Sequence, residues 1–526
     1  MKRLSLKISI ILCFIFLASL FYYIYLPVIN IHSSDLWIFV IGLLFIGISI
    51  YKIVKFRNAN PKIINFTIFL AILLAIVYVI GLILSSPIIS AKKYQSLINI
   101  KDSNFTQDIK QISYDEIPLV DKDTAINLGS RKMGSMVDMV SQFEVNNLYT
   151  QINYKSKPTR VTPLDYGNIF KWLTNRKNGI PAYMMIDMAT QEVNLVKLDK
   201  GIKYSFSEPL NRNVNRYLRF NYPTYIFDKI NFEIDDNGTP YWICPVKTYS
   251  IGLFGGPILK KVILLNAITG ELKEYNIKDV PNWVDSVYSA DLLISYYNYY
   301  GMLKNGYLNS ILGQKGCLKT TEGYNYIALN DDVYVYTGVT SVGGDKSNVG
   351  FVLMNQRTGE AKYYTISGAQ ETSAMASAEG QVQNLGYKAT FPILLNISNQ
   401  PTYFMSLKDG AGLVKKYAMV NIEKYQIVAI GDTVSECENN YIDLLYKSNI
   451  SVNNNIKSNN IQGKITYLKE IIIDGNSYIF IKIDNNEKYF AIPIKDNLNI
   501  LNYNLNDNIS LTYEEQKNYN LIKTIS

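Results

Sequence analysis

The sequence predicts an α+β membrane protein. It has three N-terminal transmembrane helices, repeated helix-plus-antiparallel-sheet units outside the membrane, and a small C-terminal all-β barrel-like domain. Three observations predict this. Long uncharged runs are confined to the first 90 residues, one strand–corner–strand word recurs four times between residues 183 and 432, and closely spaced β signals follow an Asn-rich stretch. At 526 residues the chain also exceeds what one hydrophobic core organises.

The apolar runs cover residues 8–29, 36–51 and 63–89, and the helices they predict cover 8–29, 36–54 and 63–89 of a membrane region, 1–93. Each is near or above the roughly 17 to 25 residues a helix needs to cross a bilayer core. Trp37 and Tyr51 suit the two interfaces of the second run, which is the shortest. The first run follows Lys2, Arg3 and Lys7 as a signal peptide would, but it is long, lacks a small-x-small cleavage site and is followed by two more runs. It is read as an uncleaved helix. Lys52, Lys55, Arg57 and Lys62 follow the second run, whereas the loop after the first has no basic residue. Basic flanks stay inside. The N-terminus is therefore expected in the cytoplasm and the chain after Ser90 outside, with Lys92 and Lys93 mildly opposed.

Residues 94–155 read as a polar connector followed by a helix from Asp123, with Ala125, Leu128, Met133, Met136, Val137, Val140 and then Met139 and Phe143 as its core stripe. Residues 156–440 carry the repeats. The words are YMMIDMATQEVNLVKL, VILLNAITGELKEYNI, FVLMNQRTGEAKYYTI and YAMVNIEKYQIVAIGD, with Asp187, Asn266, Asn355 and Asn421 ending the first strand of each. Five residues on, Glu192, Glu271, Glu360 and Gln426 open the second. Asp and Asn side chains satisfy turn amides and Gly supplies positive φ, so Thr269-Gly270-Glu271 and Thr358-Gly359-Glu360 read as hairpin corners, structural and not catalytic. The anchors lie 79, 89 and 66 residues apart, as supersecondary units would. Helical stretches at 281–303 and 371–383 separate some words, so each unit is expected to be a helix and a three- or four-stranded sheet.

Gly238-Thr239-Pro240-Tyr241, followed by Asn266-Ala267-Ile268-Thr269-Gly270-Glu271-Leu272, resembles the PepSY domain of bacterial envelope proteins. The likeness spans residues 155–435 and is best in the second copy; the third and fourth copies lack part of the pattern. Such domains are noncatalytic modules that inhibit or localise peptidases and wall hydrolases. The resemblance therefore implies binding or regulation, with no catalytic residues to carry over. The amino-acid usage, rich in Tyr, Asn, Ile and Lys, resembles that of low-GC Gram-positive bacteria.

An Asn/Ser-rich stretch within 441–460 reads as a linker, and 461–526 as four or five strands resembling a small OB- or SH3-like barrel. Tyr467, Tyr478 and Tyr489, with Phe480 and Phe490, are a candidate stacking surface for sugars or bases.

The chemistry-bearing residues are sparse. The one histidine, His32, lies in the first outer loop, so neither a His-dependent triad nor a His-based zinc site can form in the exposed portion. Cys13 lies in the first run, and the odd number outside, Cys244, Cys317 and Cys437, argues against a disulfide framework. Ser49-x-x-Lys52 and Ser90-x-x-Lys93 sit at membrane boundaries, where Lys is an anchor. Asp235-Asp236-Asn237-Gly238 lacks a closing Glu for calcium and reads as a hairpin turn. The net charge of +8 is modest for the length and does not argue for nucleic acid. The expectation is a noncatalytic protein of the cell membrane without cofactor or metal. Its expected partners are the bilayer, an exported or membrane protein and, as a candidate, wall glycan. The alternatives are a wall-active enzyme using paired carboxylates and a subunit of a secretion or signalling complex.

Overall fold

The computed structural model describes residues 2–55, 59–111, 117–329, 331–343, 347–450, 459–473, 476–484, 486–494, 497–515 and 519–525. It divides into two compact parts, Met1–Asn449 and Ile450–Ser526.

Three long helices open the first part: α1 (Lys2–Tyr25), α2 (Ser34–Lys55) and α3 (Pro61–Leu84). Of these, α2 and α3 are long and apolar enough to cross a membrane. Pro61 starts α3 beneath an Asn60 cap, where its missing N–H costs nothing. The third run breaks at Ser85-Ser86, and a separate helix, α4 (Pro87–Gln95), follows.

Beyond α4 stand four antiparallel sheets with one connectivity. In each repeat a helix precedes two short strands; both pair with one side of a long third strand, whose other side pairs with a fourth strand that hairpins into a fifth. The first repeat runs helix Lys122–Gly134, strands Phe143–Val145, Thr150–Tyr154, Lys157–Tyr166, Ile180–Asp187 and Val193–Ile202. In the second these are Val214–Asn221, Ile226–Phe227, Asn231–Ile234, Pro240–Ile251, Gly255–Asn266 and Leu272–Asn276. The third has Ala290–Met302, Leu318–Thr320, Asn325–Leu329, Asp332–Ser341, Gly350–Asn355 and Ala361–Tyr364. The fourth has Glu371–Gln381, Lys388–Ala389, Ile393–Ile397, Gln400–Lys408, Val414–Asn421 and Val428–Gly431.

Each sheet therefore has five strands, not three or four, because short edge strands of two to five residues carry little sequence signal. The third gains a sixth from the connector, Ile100–Asp102, parallel to Ala361–Tyr364.

Other boundaries also differ from expectation. The first helix is capped by Asp121, whose carboxylate accepts from Thr124 N, and it stops at Gly134; Phe143, assigned to its stripe, starts a strand. Residues 281–289 are outside the helix that Ser289 caps. An unanticipated helix, Val434–Lys447, packs Cys437, Tyr441 and Leu445 inward and takes up the first part of the expected linker; 451–458 lie outside the described residues.

The core follows the repeats. The first and second share one, in which Trp172, Tyr183, Met184, Phe232, Trp242 and Leu265 meet. The opposite face of the second sheet, through Ile243, Val262 and Leu264, covers Val280, Val284 and Val287 on the way to the third. Burial on both faces explains why these strands read as apolar runs and not as alternations.

The second part is a closed barrel of Asn459–Ile473, Asn476–Ile483, Phe490–Pro493, Asn508–Glu515 and Asn520–Ile525. Its first strand closes on the fourth, and its third pairs in parallel with the fifth. The sequence Asp474-Gly475-Asn476 reads as a turn between the first two strands, and residues 474–475 lie outside the described residues.

Candidate functional site

The four anchors occupy one position in the four sheets, and their turns are built alike. Asn266 N donates to Glu271 O at 2.9 Å and Gly270 N to Asn266 O at 2.9 Å, while Asn266 Oδ1 accepts from Ile268 N and Thr269 N at 3.0 and 2.9 Å. Asp187 and Asn355 repeat each bond with Glu192 and Glu360. The φ > 0 position falls to Gly270, Gly359 and, at greater strain, Gln191. The fourth turn is one residue longer: Asn421 N reaches Ile427 O, so Gln426 is still within the corner. Beyond the anchors, Met188, Ala267, Gln356 and Ile422 accept through their carbonyls from Leu119, Tyr204, Tyr288 and Ala369; all but Tyr204 stand just ahead of their repeat's helix, and Tyr204 lies in the longer segment leading to Val214. The words thus fasten sheet to helix entry, which is a structural duty.

The second repeat also holds the helical anchor. Its Pro240–Ile251/Gly255–Asn266 hairpin ends at Leu253-Phe254. Leu253 O lies 2.8 Å from His32 Nδ1, Phe254 N donates to Ser85 Oγ at 3.0 Å, and the Phe254 ring stands 5.1 Å from Tyr78 and 6.3 Å from Trp37. Nearby, Ile29 N donates to Pro223 O and Arg219 Nε to Leu26 O. The loop after α1 and the end of α3 therefore face the same repeat.

Two buried carboxylates come together between the repeats. Glu233, fully buried, accepts from Asp285 N and Ser286 N at 2.9 and 2.8 Å, and Asp285, 1% exposed, accepts from Asn153 N at 2.6 Å. Burial pushes both carboxyls up, and for Asp285 the Glu233 charge adds to it. They pin three repeats by backbone amides and are closed to solvent.

A cavity of about 310 Å³ lies where residues of all four repeats meet. Gln151 and Arg160 line it as direct cross-strand partners, 4% and 3% exposed. Arg160 Nε donates to Val120 O at 3.1 Å, while neither amide atom of Gln151 has a partner among the described residues. Lys229 comes from the second repeat, Asn325 and Tyr326 from the third, and Phe391 from the fourth. The helices at Lys122 and Ala290 both begin at its wall. Sequence reading missed this site; its one signal was an Arg inside the otherwise uncharged stretch from Thr159 to Leu164.

On the barrel, Tyr467 and Tyr489 meet at 5.5 Å, Phe480 links Tyr478 to Tyr489, and Lys482 Nζ stands 4.4 Å above the Tyr489 ring. Phe490 is in the core. Cys244, Cys317 and Cys437 are buried free thiols. Asp235 Oδ1 accepts from Asn237 N and Thr239 N, closing a hairpin over Gly238. Comparison with family models and with curated proteins finds no match to this chain.

Proposed function

We propose that this is a membrane-anchored, noncatalytic envelope protein that crosses the bilayer three times and holds its repeats outside, where they bind and position an exported hydrolase, peptidase or envelope assembly. The observation that carries this reading is the attachment of the second repeat to the helix ends through His32, Ser85, Arg219 and Phe254. It supports a path in which the loop after α1 and the end of α3 share one side, as inside–outside–inside–outside requires, with the repeats as a platform held there. The enzyme reading loses its best pair, since a general acid must reach substrate and Glu233 and Asp285 are sealed. PepSY kinship fits the helix-then-sheet repeats. The barrel's strand order is of the OB type, and its Tyr467–Tyr489 face suits a glycan or a partner's rings.

Photo-crosslinking of the full-length protein in cells tests this. An exported hydrolase, peptidase or assembly component should be enriched, and lost when the repeats are deleted. Peptidoglycan hydrolysis by the purified protein would overturn it. For topology, V137C, at a position 81% exposed, should react with an impermeant maleimide on intact cells. Labelling only after lysis would refute the outside assignment.

A further inference from the structure

The polar cavity among the four repeats has the makings of a ligand site that the platform reading does not use. A buried guanidinium without an anion is costly, by several kcal/mol in general. Arg160 is only 3% exposed and makes no ion pair among the described residues. The nearest acids do not serve it: Asp121 is held by Lys408 at 2.7 Å from both its oxygens, and Asp123 is exposed. Across the strand pair, the Gln151 amide offers a donor and an acceptor that no group among the described residues takes up. Buried amides are ordinarily satisfied. Two thirteen-residue helices start at the wall and add their positive ends, and Lys229 adds a further cation.

These features call for an anion, and the acids narrow its kind. Asp121 is already paired with Lys408 and Lys122 adds a cation, so Asp123 is the acid that shapes the choice: it disfavours a second negative charge beside it, whereas one carboxylate on Arg160 leaves room for a donor group facing Asp123. The volume sits at the lower end of small-molecule sites. We infer that the cavity binds a small monoanionic carboxylate bearing its own donor group, of free amino acid size, with Arg160 and Gln151 as its main contacts. This holds whether or not an exported partner exists.

The test is thermal melting and titration calorimetry of the full-length protein in lipid nanodiscs, with free L- and D-amino acids, their carboxamides and inorganic phosphate as probes. At least one amino acid should raise the melting temperature, and its carboxamide should not. Arg160→Lys should weaken binding about 10- to 100-fold, as loss of charge-assisted hydrogen bonds does. Gln151→Met, which removes amide atoms without a partner among the described residues, should melt at or above the parent and bind at least about 10-fold more weakly. Several outcomes overturn the proposal: no amino acid binds at millimolar concentration, carboxamides or phosphate bind as well as any amino acid, Q151M binds like the parent, or Q151M no longer folds.

Discussion

The same substitution in two repeated turns should have opposite outcomes. Asn266 and Asn355 hold equivalent corners through Oδ1, and Asp187 does the same in the first repeat with a carboxylate. Asn266→Asp keeps both acceptor bonds, now as charge-assisted ones that offset burial at a site 8% exposed, and should cost no more than about 1 kcal/mol. Asn355 differs because its Nδ2 donates to Asp332 Oδ2 at 2.7 Å, while Arg357 grips that carboxylate with Nε and Nη2 at 2.6 and 2.9 Å. Asn355→Asp exchanges a charge-assisted bond, of about 1.5 to 3 kcal/mol, for two facing carboxylates at sites 3% and 7% exposed. Arg357 offsets part of the repulsion, so a net loss of about 2 to 4 kcal/mol at neutral pH is expected. The new carboxyl has a folded pKa raised by Asp332. Its penalty is therefore absent below about pH 4, where both states are protonated, and grows as pH rises through the folded value. Melting at pH 5 and pH 8, with hydrogen exchange at the 355–360 corner, measures it. Equal effects at the two asparagines, or a pH-independent penalty at Asn355, would refute the argument.

Three further outcomes are expected. Glu233, pushed up to about 7 by burial, binds a proton in the folded state that the unfolded chain releases near 4.5, so its contribution falls as pH rises between those values, by about 3 kcal/mol in all. E233Q should melt with a flatter pH dependence than the parent over that window; an unchanged profile would refute the burial of this group. Gly270→Ala should cost about 1 to 3 kcal/mol in denaturant unfolding, because φ is +80° there and a Cβ would run into the Tyr204 ring, whereas Gly410→Ala, with open space around it, should cost less than about 1 kcal/mol. Phe254→Ala should loosen the repeat's hold on the helices by about 1 to 2 kcal/mol, seen as faster hydrogen exchange at residues 250–256 with the four sheets unchanged.

Much of the repeated fold was legible because its signals are local. Asp187, Asn266 and Asn355 hydrogen-bond amides two and three residues away, so the corner is written within six consecutive residues. The edge strands Phe143–Val145, Ile226–Phe227 and Lys388–Ala389 were not legible, because two or three residues show no period and their place depends on a long strand far along the chain. The helix Val434–Lys447 was hidden by the polar composition of its outer face and by the Asn-rich tract beyond it.

The sequence by itself determined the apolar helices, the first three anchored corners and the β rhythm of the C-terminal part. Each follows from hydrophobic pattern or turn chemistry, forces that act between near neighbours. Only the tertiary structure decided that Glu233 and Asp285 are buried together as a pin between repeats, that Phe254 meets Tyr78 and Trp37, and that Gln151, Arg160, Lys229 and Asn325 line one cavity. Those residues come from three repeats and carry no shared spacing, because side chains gathered by packing need only a common place in space.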